Sequence, residues 1–232
     1  MSYWAYLSTV DIVKRTISAI LNLVYPKNCF SCGKNGAYFC RSCLKNLELD
    51  LPPRQSLQGL CSGGLDGLIA IGSSKNKSLF KAIKFLKYNG IKEVAFDLSG
   101  ILAERIKSEI PDWKSGIIFS PIPLHPARER SRGFNQAELL AEATAEKLGV
   151  ALKTGLLKKI KDTPPQARTS SRKQRFENIR GSFEVAPDPV LKEARIVLID
   201  DVLTTGATMS EAASALKKAG AKIVIGAVAA RG

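Results

Sequence analysis

The chain has 232 residues, room for one full domain and a small companion. Its 45% hydrophobic and 24% charged residues are average for a globular protein and exclude wholesale disorder or collagen-like structure. Lys and Arg number 35 against 21 Asp and Glu, and the resulting charge of +14 points to polyanionic partners while saying little about the fold.

Residues 1–25 carry an apolar run, Thr16 to Tyr25, behind Lys14-Arg15. Asp11 intrudes and no small-residue cleavage site follows, so the expectation is an amphipathic helix rather than a secretion signal. Such a helix packs on the domain or lies peripherally against a partner or the inner face of a membrane. The longest stretch without a charge, Ser115 to Ala127, is thirteen residues with three prolines. A membrane-spanning helix needs about 20 apolar residues, so none is expected, and a cytoplasmic location follows.

Residues 26–60 form the next unit. Cys29-x2-Cys32 and Cys40-x2-Cys43 are separated by seven residues. Each pair presents two thiolates from a tight turn, which Gly33 suits, and two facing turns make a closed four-thiolate site for a structural zinc ion. The alternative is two disulfides or four unrelated thiols, which the missing secretion signal and the doubled spacing both disfavour. Cys61 stands alone and receives no role. Leu49 to Gly67, with Pro52-Pro53 and Gly63-Gly64, reads as a linker or boundary, and 61–232 as the main domain.

Leu79, Ile83 and Leu86 recur at helical spacing, with Lys81, Lys84 and Lys87 largely on the other face. A second helix spans about 94–109. The run from Gly116 is a buried strand, a basic loop follows, and a helix from about Gln136 to Leu148 has Asn135 as N-cap and Gly149 as stop. Arg195 to Asp200 is a buried strand, Met209 to Ala219 a helix stopped by Gly220, and Lys222 to Ala229 a closing strand. This alternation predicts an α/β fold, a mostly parallel sheet with helices on both faces.

The junction Asp200-Asp201-Val-Leu-Thr204-Thr205-Gly206-Ala207-Thr208 carries the sharpest chemical signal. Backbone N–H groups, threonine hydroxyls and a helix dipole converge there on a volume suited to a phosphate monoester. Gly206 permits close approach, and Thr208 with Glu211 has capping-box spacing. The two carboxylates would repel that phosphate, so they suit ribose hydroxyls or a magnesium ion.

This stretch resembles the phosphoribosyl pyrophosphate (PRPP) motif of type I phosphoribosyltransferases. The block Pro121-Ile-Pro-Leu-His-Pro-Ala-Arg-Glu-Arg-Ser-Arg-Gly-Phe-Asn-Gln136 is similar to one in the ComF family of competence proteins and its GntX-like relatives. Thr163-x-x-Gln166 with Ser171-Arg172-x-x-Arg175-x-x-Asn178 and Gly181-x-Phe183 is similar to that family's next block. With the four-cysteine module, these segments span most of residues 26–232. One departure stands out: lysines 158, 159 and 161 occupy the region where the family usually has arginine, which keeps charge but loses the bidentate fork.

The resemblance implies that Arg128, Arg130 and Arg132 hold pyrophosphate in their loop, as arginine forks suit phosphate oxygens. The alternative is a solvated basic loop. His125 reads as a loop hydrogen-bonder. Residues 153–180 hold nine basic side chains against two acids, with one aromatic, Phe176. By resemblance this block contains the mobile loop that closes over PRPP, including Gln166, Arg168, Arg172, Lys173 and Arg175. Its charge also suits single-stranded DNA. The resemblance implies DNA uptake in natural transformation, with a competence helicase as partner. Turnover of PRPP on an unidentified acceptor, or a non-catalytic adaptor role for the helicase, remain open readings.

Overall fold

The computed structural model describes residues 27–49, 64–89, 91–110, 112–163 and 172–232. The expected helix of residues 1–25, Cys61 and most of the boundary segment lie outside the described residues.

Five parallel strands form the main sheet in the order β1-β7-β6-β2-β3: β1 Gly67–Ser73, β2 Ile117–Pro121, β3 Ala151–Leu152, β6 Arg195–Leu203 and β7 Ile223–Arg231. The apolar runs that marked strands are the buried ones: all five residues of β2 are buried, as are Ile196 to Ile199 of β6. Near-continuous burial is what a sheet covered on both faces requires.

Alternation along β6 divides the core. Val197 and Ile199 pack with helices α2 (Lys77–Asn89), α3 (Lys92–Glu109) and α5 (Gln136–Leu148). Ile196 and Leu198 pack with α7 (Ala207–Lys218) on the other face. Helix α2 buries Leu79, Ala82, Ile83 and Leu86 at the expected period. Asn135 caps α5 by accepting from Ala137 N–H at 3.0 Å, and its amide also donates to the Ile122 carbonyl at 3.1 Å. That second bond ties the start of α5 to the chain leaving β2. Gly149 ends α5 at φ 65°, a left-handed conformation in which a side chain is strained.

From β2 the chain crosses outward to β3, and from β6 it crosses the opposite way to β7. The connections therefore diverge between β2 and β6, which opens a crevice beyond their carboxyl ends. A small antiparallel pair, β4 (Leu157–Lys159) with β5 (Phe183–Val185), stands beside it, joined through α6 (Arg172–Ile179).

The segment after β2 differs from expectation. Pro126–Arg132 is a short helix, α4, rather than a loop. Local chemistry explains it: His125 Nδ1 accepts from Ala127 N–H at 3.3 Å, Pro126 starts the helix without a wasted N–H, and Gly133 ends it at φ 84°.

The cysteine segment leads into α1 (Arg41–Leu49) and does not stand apart. Cys29, Phe39, Cys43 and Leu47 belong to the same buried cluster as α2 and α3. Phe30 meets Phe85 of α2 at 4.9 Å between ring centroids and stacks on Tyr38 at 5.4 Å. Among the described residues, no helix is long and apolar enough to cross a membrane.

Candidate functional site

Strand β6 delivers Asp200 and Asp201 to the crevice, and a turn through Thr204 to Gly206 leads into α7. Gly206 occupies the N-cap at φ 80°, a backbone conformation that strains any larger residue. The first turn of α7 therefore opens on the crevice, where the N–H groups of a helix start favour an anion. The helix begins at Ala207, two residues earlier than the Thr208–Glu211 spacing implied. Glu211 is consequently no capping partner: its Oε1 accepts from Gly181 N–H at 2.6 Å, tethering the chain beyond α6.

The crevice encloses about 500 Å³. Thr204, Gly206, Ala207 and Thr208 line it, while Thr205 does not reach its wall. Asp200 and Asp201 both line it, but strand alternation turns them to opposite faces of the sheet. Asp201 is buried and its Oδ2 lies 2.9 Å from Lys87 Nζ of α2, an ion pair without the alignment of a directed hydrogen bond. Asp200 is half-buried, and its Oδ1 accepts from Asp201 N–H at 2.8 Å. Burial, and then the neighbouring Asp201 charge, push the Asp200 carboxyl well above its ordinary range. Cations or hydroxyl donors arriving beside Asp200 would stabilise its ionised form.

The facing wall is cationic. Helical periodicity puts Arg128 and Arg132 on one flank of α4, and both line the crevice. Arg130 falls on the other flank and is absent from that lining. Arg128 is positioned by Asp162, whose Oδ1 accepts from its Nε at 3.0 Å, and by the Thr163 carbonyl. Arg132 donates to the Gln136 side chain. Of the three lysines near β4, only Lys159 reaches the crevice; Lys158 is exposed, and Lys161 donates to the Arg180 carbonyl at 2.8 Å. Burial first, then Arg128, pull the Lys159 ammonium below its ordinary value, so an incoming anion relieves it.

Lys87, Tyr88 and Gln136 also line the crevice. Lys87 and Tyr88 escaped a reading by periodicity, which assigns exposed helix positions to solvent. No local signal marks them, since the contact depends on where α2 ends relative to β6.

Gln166 and Arg168 of the expected mobile loop lie outside the described residues, as does the Arg172 side chain. Lys173 is exposed and Arg175 partly so, both on α6 and neither on the crevice wall. Phe176 packs against the core.

The four cysteine sulfurs lie within 4.8 Å of one another, and Cys32 Sγ is 3.7 Å from Cys40 Sγ. Four thiolates around an ion at about 2.3 Å stand ~3.8 Å apart, so the cluster fits a tetrahedral metal site. Gly33, at φ 76°, donates its N–H to the Cys29 carbonyl at 2.9 Å and closes the first turn. Cys40 N–H reaches Cys29 Sγ at 3.4 Å, a contact that suits a thiolate. Hydrogen bonding, from Ser42 foremost, brings the Cys40 thiol down to about 6.

A family model for the phosphoribosyl transferase domain matches residues 135–232, which include β6, the turn and α7. Competence protein F of Haemophilus influenzae is 36% identical over 101 residues, 43% of this chain and 44% of that protein. Competence protein ComFC of Streptococcus pneumoniae is 31% identical over 186 residues, 80% of this chain and 77% of that protein. The DNA utilization protein YhgH of Salmonella typhimurium is 26% identical over 231 residues, 97% of this chain and 89% of that protein. Among solved structures, the glutamine PRPP amidotransferase from B. subtilis matches 65% of this chain and 30% of its own, at 20% identity and a TM-score of 0.42.

Proposed function

The chain belongs to the ComF family, and on that premise we propose that it binds PRPP with magnesium in the crevice and serves DNA uptake by contacting single-stranded DNA. One observation carries the ligand: a helix start, two carboxylates and four cations converge on one cavity where the connections of the sheet diverge.

In this reading the turn from Thr204 to Thr208 takes the 5′-phosphate. Asp200 and Asp201 orient the ribose hydroxyls and hold magnesium, which would offset charge on the pyrophosphate. Arg128 and Arg132 take the pyrophosphate oxygens, with Lys159 supplying the charge that the family's usual arginine would bring. Arg130, on the far flank of α4, is left to solvent or to another partner. Gln166 and Arg168 belong to the loop that closes over the ligand or meets DNA, and Arg172, Lys173 and Arg175 to the first turn of α6 that follows it. The cysteine module, residues 26–60, holds structural zinc on the 61–232 domain. The 1–25 segment and this module are where a competence helicase docks, at the inner face of the membrane.

Titration with PRPP and magnesium tests the ligand. Saturation raises the melting temperature, by about 2.7 kcal/mol of added stability at a hundredfold excess over the dissociation constant. The shift disappears in Asp200→Asn/Asp201→Asn. No shift in the unmodified protein overturns the proposal. Repeating the titration calorimetrically with single-stranded DNA present measures the second site and any coupling between the two.

A further inference from the structure

We infer that single-stranded DNA is held along the outer face of α2, and that this track ends at the mouth of the crevice. The inference rests on the DNA contact proposed above and gives it a location.

Lys77, Phe80, Lys81, Lys84 and Tyr88 are all exposed, and they follow one another at intervals of three, four, seven and eleven residues from Lys77. At 100° per residue these positions fall within one narrow stripe, opposite the buried Leu79, Ala82, Ile83 and Leu86. The stripe alternates rings with ammonium groups. Phe80 is 45% exposed and Tyr88 73% exposed, two of only four large hydrophobic side chains exposed among the described residues. They stand eight residues apart, about 12 Å along the helix axis. Lys84 Nζ lies 5.7 Å from the Phe80 ring centroid, and Lys81 Nζ lies 5.5 Å from that of Phe30.

No fold requirement explains this pattern. The helix already buries its apolar face, and a solvated face has no use for two large rings. From Lys75 to Lys87 the chain has five lysines and no acid, so an acidic or polyanionic occupant is selected. Rings spaced among those lysines narrow the choice to a polyanion that also offers planar faces. Single-stranded nucleic acid does so, stacking its bases on rings while lysines follow its phosphates. A duplex hides those faces, and an acidic protein has none to offer at this density.

The block 153–180 is more basic but does not match this chemistry, because its one ring, Phe176, is packed against the core. The α2 stripe also has a direction. Tyr88 and Lys87 line the crevice, so a strand lying on α2 reaches the ligand cavity at its carboxyl end. The two binding events then share a boundary, and coupling between them must be reciprocal.

Fluorescence anisotropy with a labelled oligothymidylate, over a series of salt concentrations, tests the track. Phe80→Ala and Tyr88→Ala each weaken binding about tenfold with little change in salt slope, since base stacking is lost and no charge is. Tyr88→Phe retains binding. Lys81→Glu/Lys84→Glu weakens binding further and flattens the slope by about 1.4, roughly 0.7 for each lost phosphate contact. All these positions are exposed, and an unchanged melting temperature confirms that the variants fold. If the unmodified protein binds the oligonucleotide and the stripe variants bind equally well, the track is wrong and the DNA role survives. If the unmodified protein fails to bind even at low salt, the DNA role falls and the track falls with it.

Discussion

Cys29 to Cys43 supply every sulfur of the cysteine cluster from one short stretch of chain, whereas the crevice gathers side chains scattered from Lys87 to Met209. The first site is made by two local turns, and the sheet only receives it. The second exists only once β2, β6, α2 and α4 have assembled, and each wall is positioned by a different part of the core. Their electrostatics differ as well. Four clustered sulfurs would need a cation to stay together as thiolates, while the crevice sets Asp200 and Asp201 against Lys87, Arg128, Arg132 and Lys159. Helix α2 joins the two regions: Phe85 packs on the cysteine turn, and Lys87 reaches Asp201.

That shared helix predicts the largest effect. Because Cys29, Phe39, Cys43 and Leu47 are continuous with the core around α2 and α3, removing the zinc proposed for the cluster would destabilise the domain and not the module alone. The expected loss is on the order of 5 kcal/mol, given how much folding energy metal supplies to small thiolate sites. Heat denaturation with and without a chelator, or of Cys29→Ser, measures it. A main transition that stays in place as the module melts would show two independent regions.

Cutting the link at its other end is a milder test. Lys87→Met leaves the Asp201 carboxylate buried without its partner, at a cost of about 2 kcal/mol, kept low because Lys87 itself is partly exposed to water. Chemical denaturation reads this directly. An unchanged midpoint would mean that water already satisfies Asp201.

What was legible in the sequence follows the same division. The cysteine spacing, the β6 run and the Thr204–Thr208 turn are contiguous patterns, and each predicts its own geometry. The caps at Asn135 and Gly149 are equally local, and both form as expected. Periodicity puts Lys87 largely on the face opposite the buried one, because it reports which side of a helix is buried and not what stands beyond its end. Lys159 could not be told from Lys158 and Lys161 until β4 gave the segment a strand's alternation, with 158 outward and 159 inward. The packing of Phe30 on Phe85 is a contact between distant segments, for which a single sequence carries no marker.

Asp200 separates binding from stability. Its raised pKa means that the folded state holds a proton more tightly than the unfolded chain does, so ionising it costs stability as pH rises above the ordinary aspartate value of 3.8. Asp200→Asn therefore raises the melting temperature at neutral pH, and the gain vanishes in acid where both states are protonated. The same change weakens binding of PRPP with magnesium. In the unmodified protein that binding strengthens as pH rises, since the ionised carboxylate is the form that holds a cation. Melting curves across a pH series check the sign; a variant less stable than the parent at neutral pH would show that Asp200 is paired rather than penalised.

The contrast among the three arginines, with its smallest effect at Arg130, is the most exacting about geometry. A flexible basic loop would let Arg128, Arg130 and Arg132 converge on one anion, and each substitution by alanine would then weaken binding alike. A helix forbids that convergence. Residues 128 and 132 lie one turn apart on one flank, and 130 is rotated about 200° from 128. Arg128→Ala and Arg132→Ala should each cost tenfold or more in affinity for inorganic pyrophosphate, at roughly 1.5–3 kcal/mol for a hydrogen bond to a charged group. Arg130→Ala should leave affinity within about twofold, the remainder of a screened charge acting at a distance. Substituting Gly133 by alanine adds a control, because the left-handed stop at φ 84° is what keeps α4 to two turns. Equal losses at all three arginines would mean that the helix unwinds around its ligand, and that the wall facing Asp200 forms only when the anion arrives.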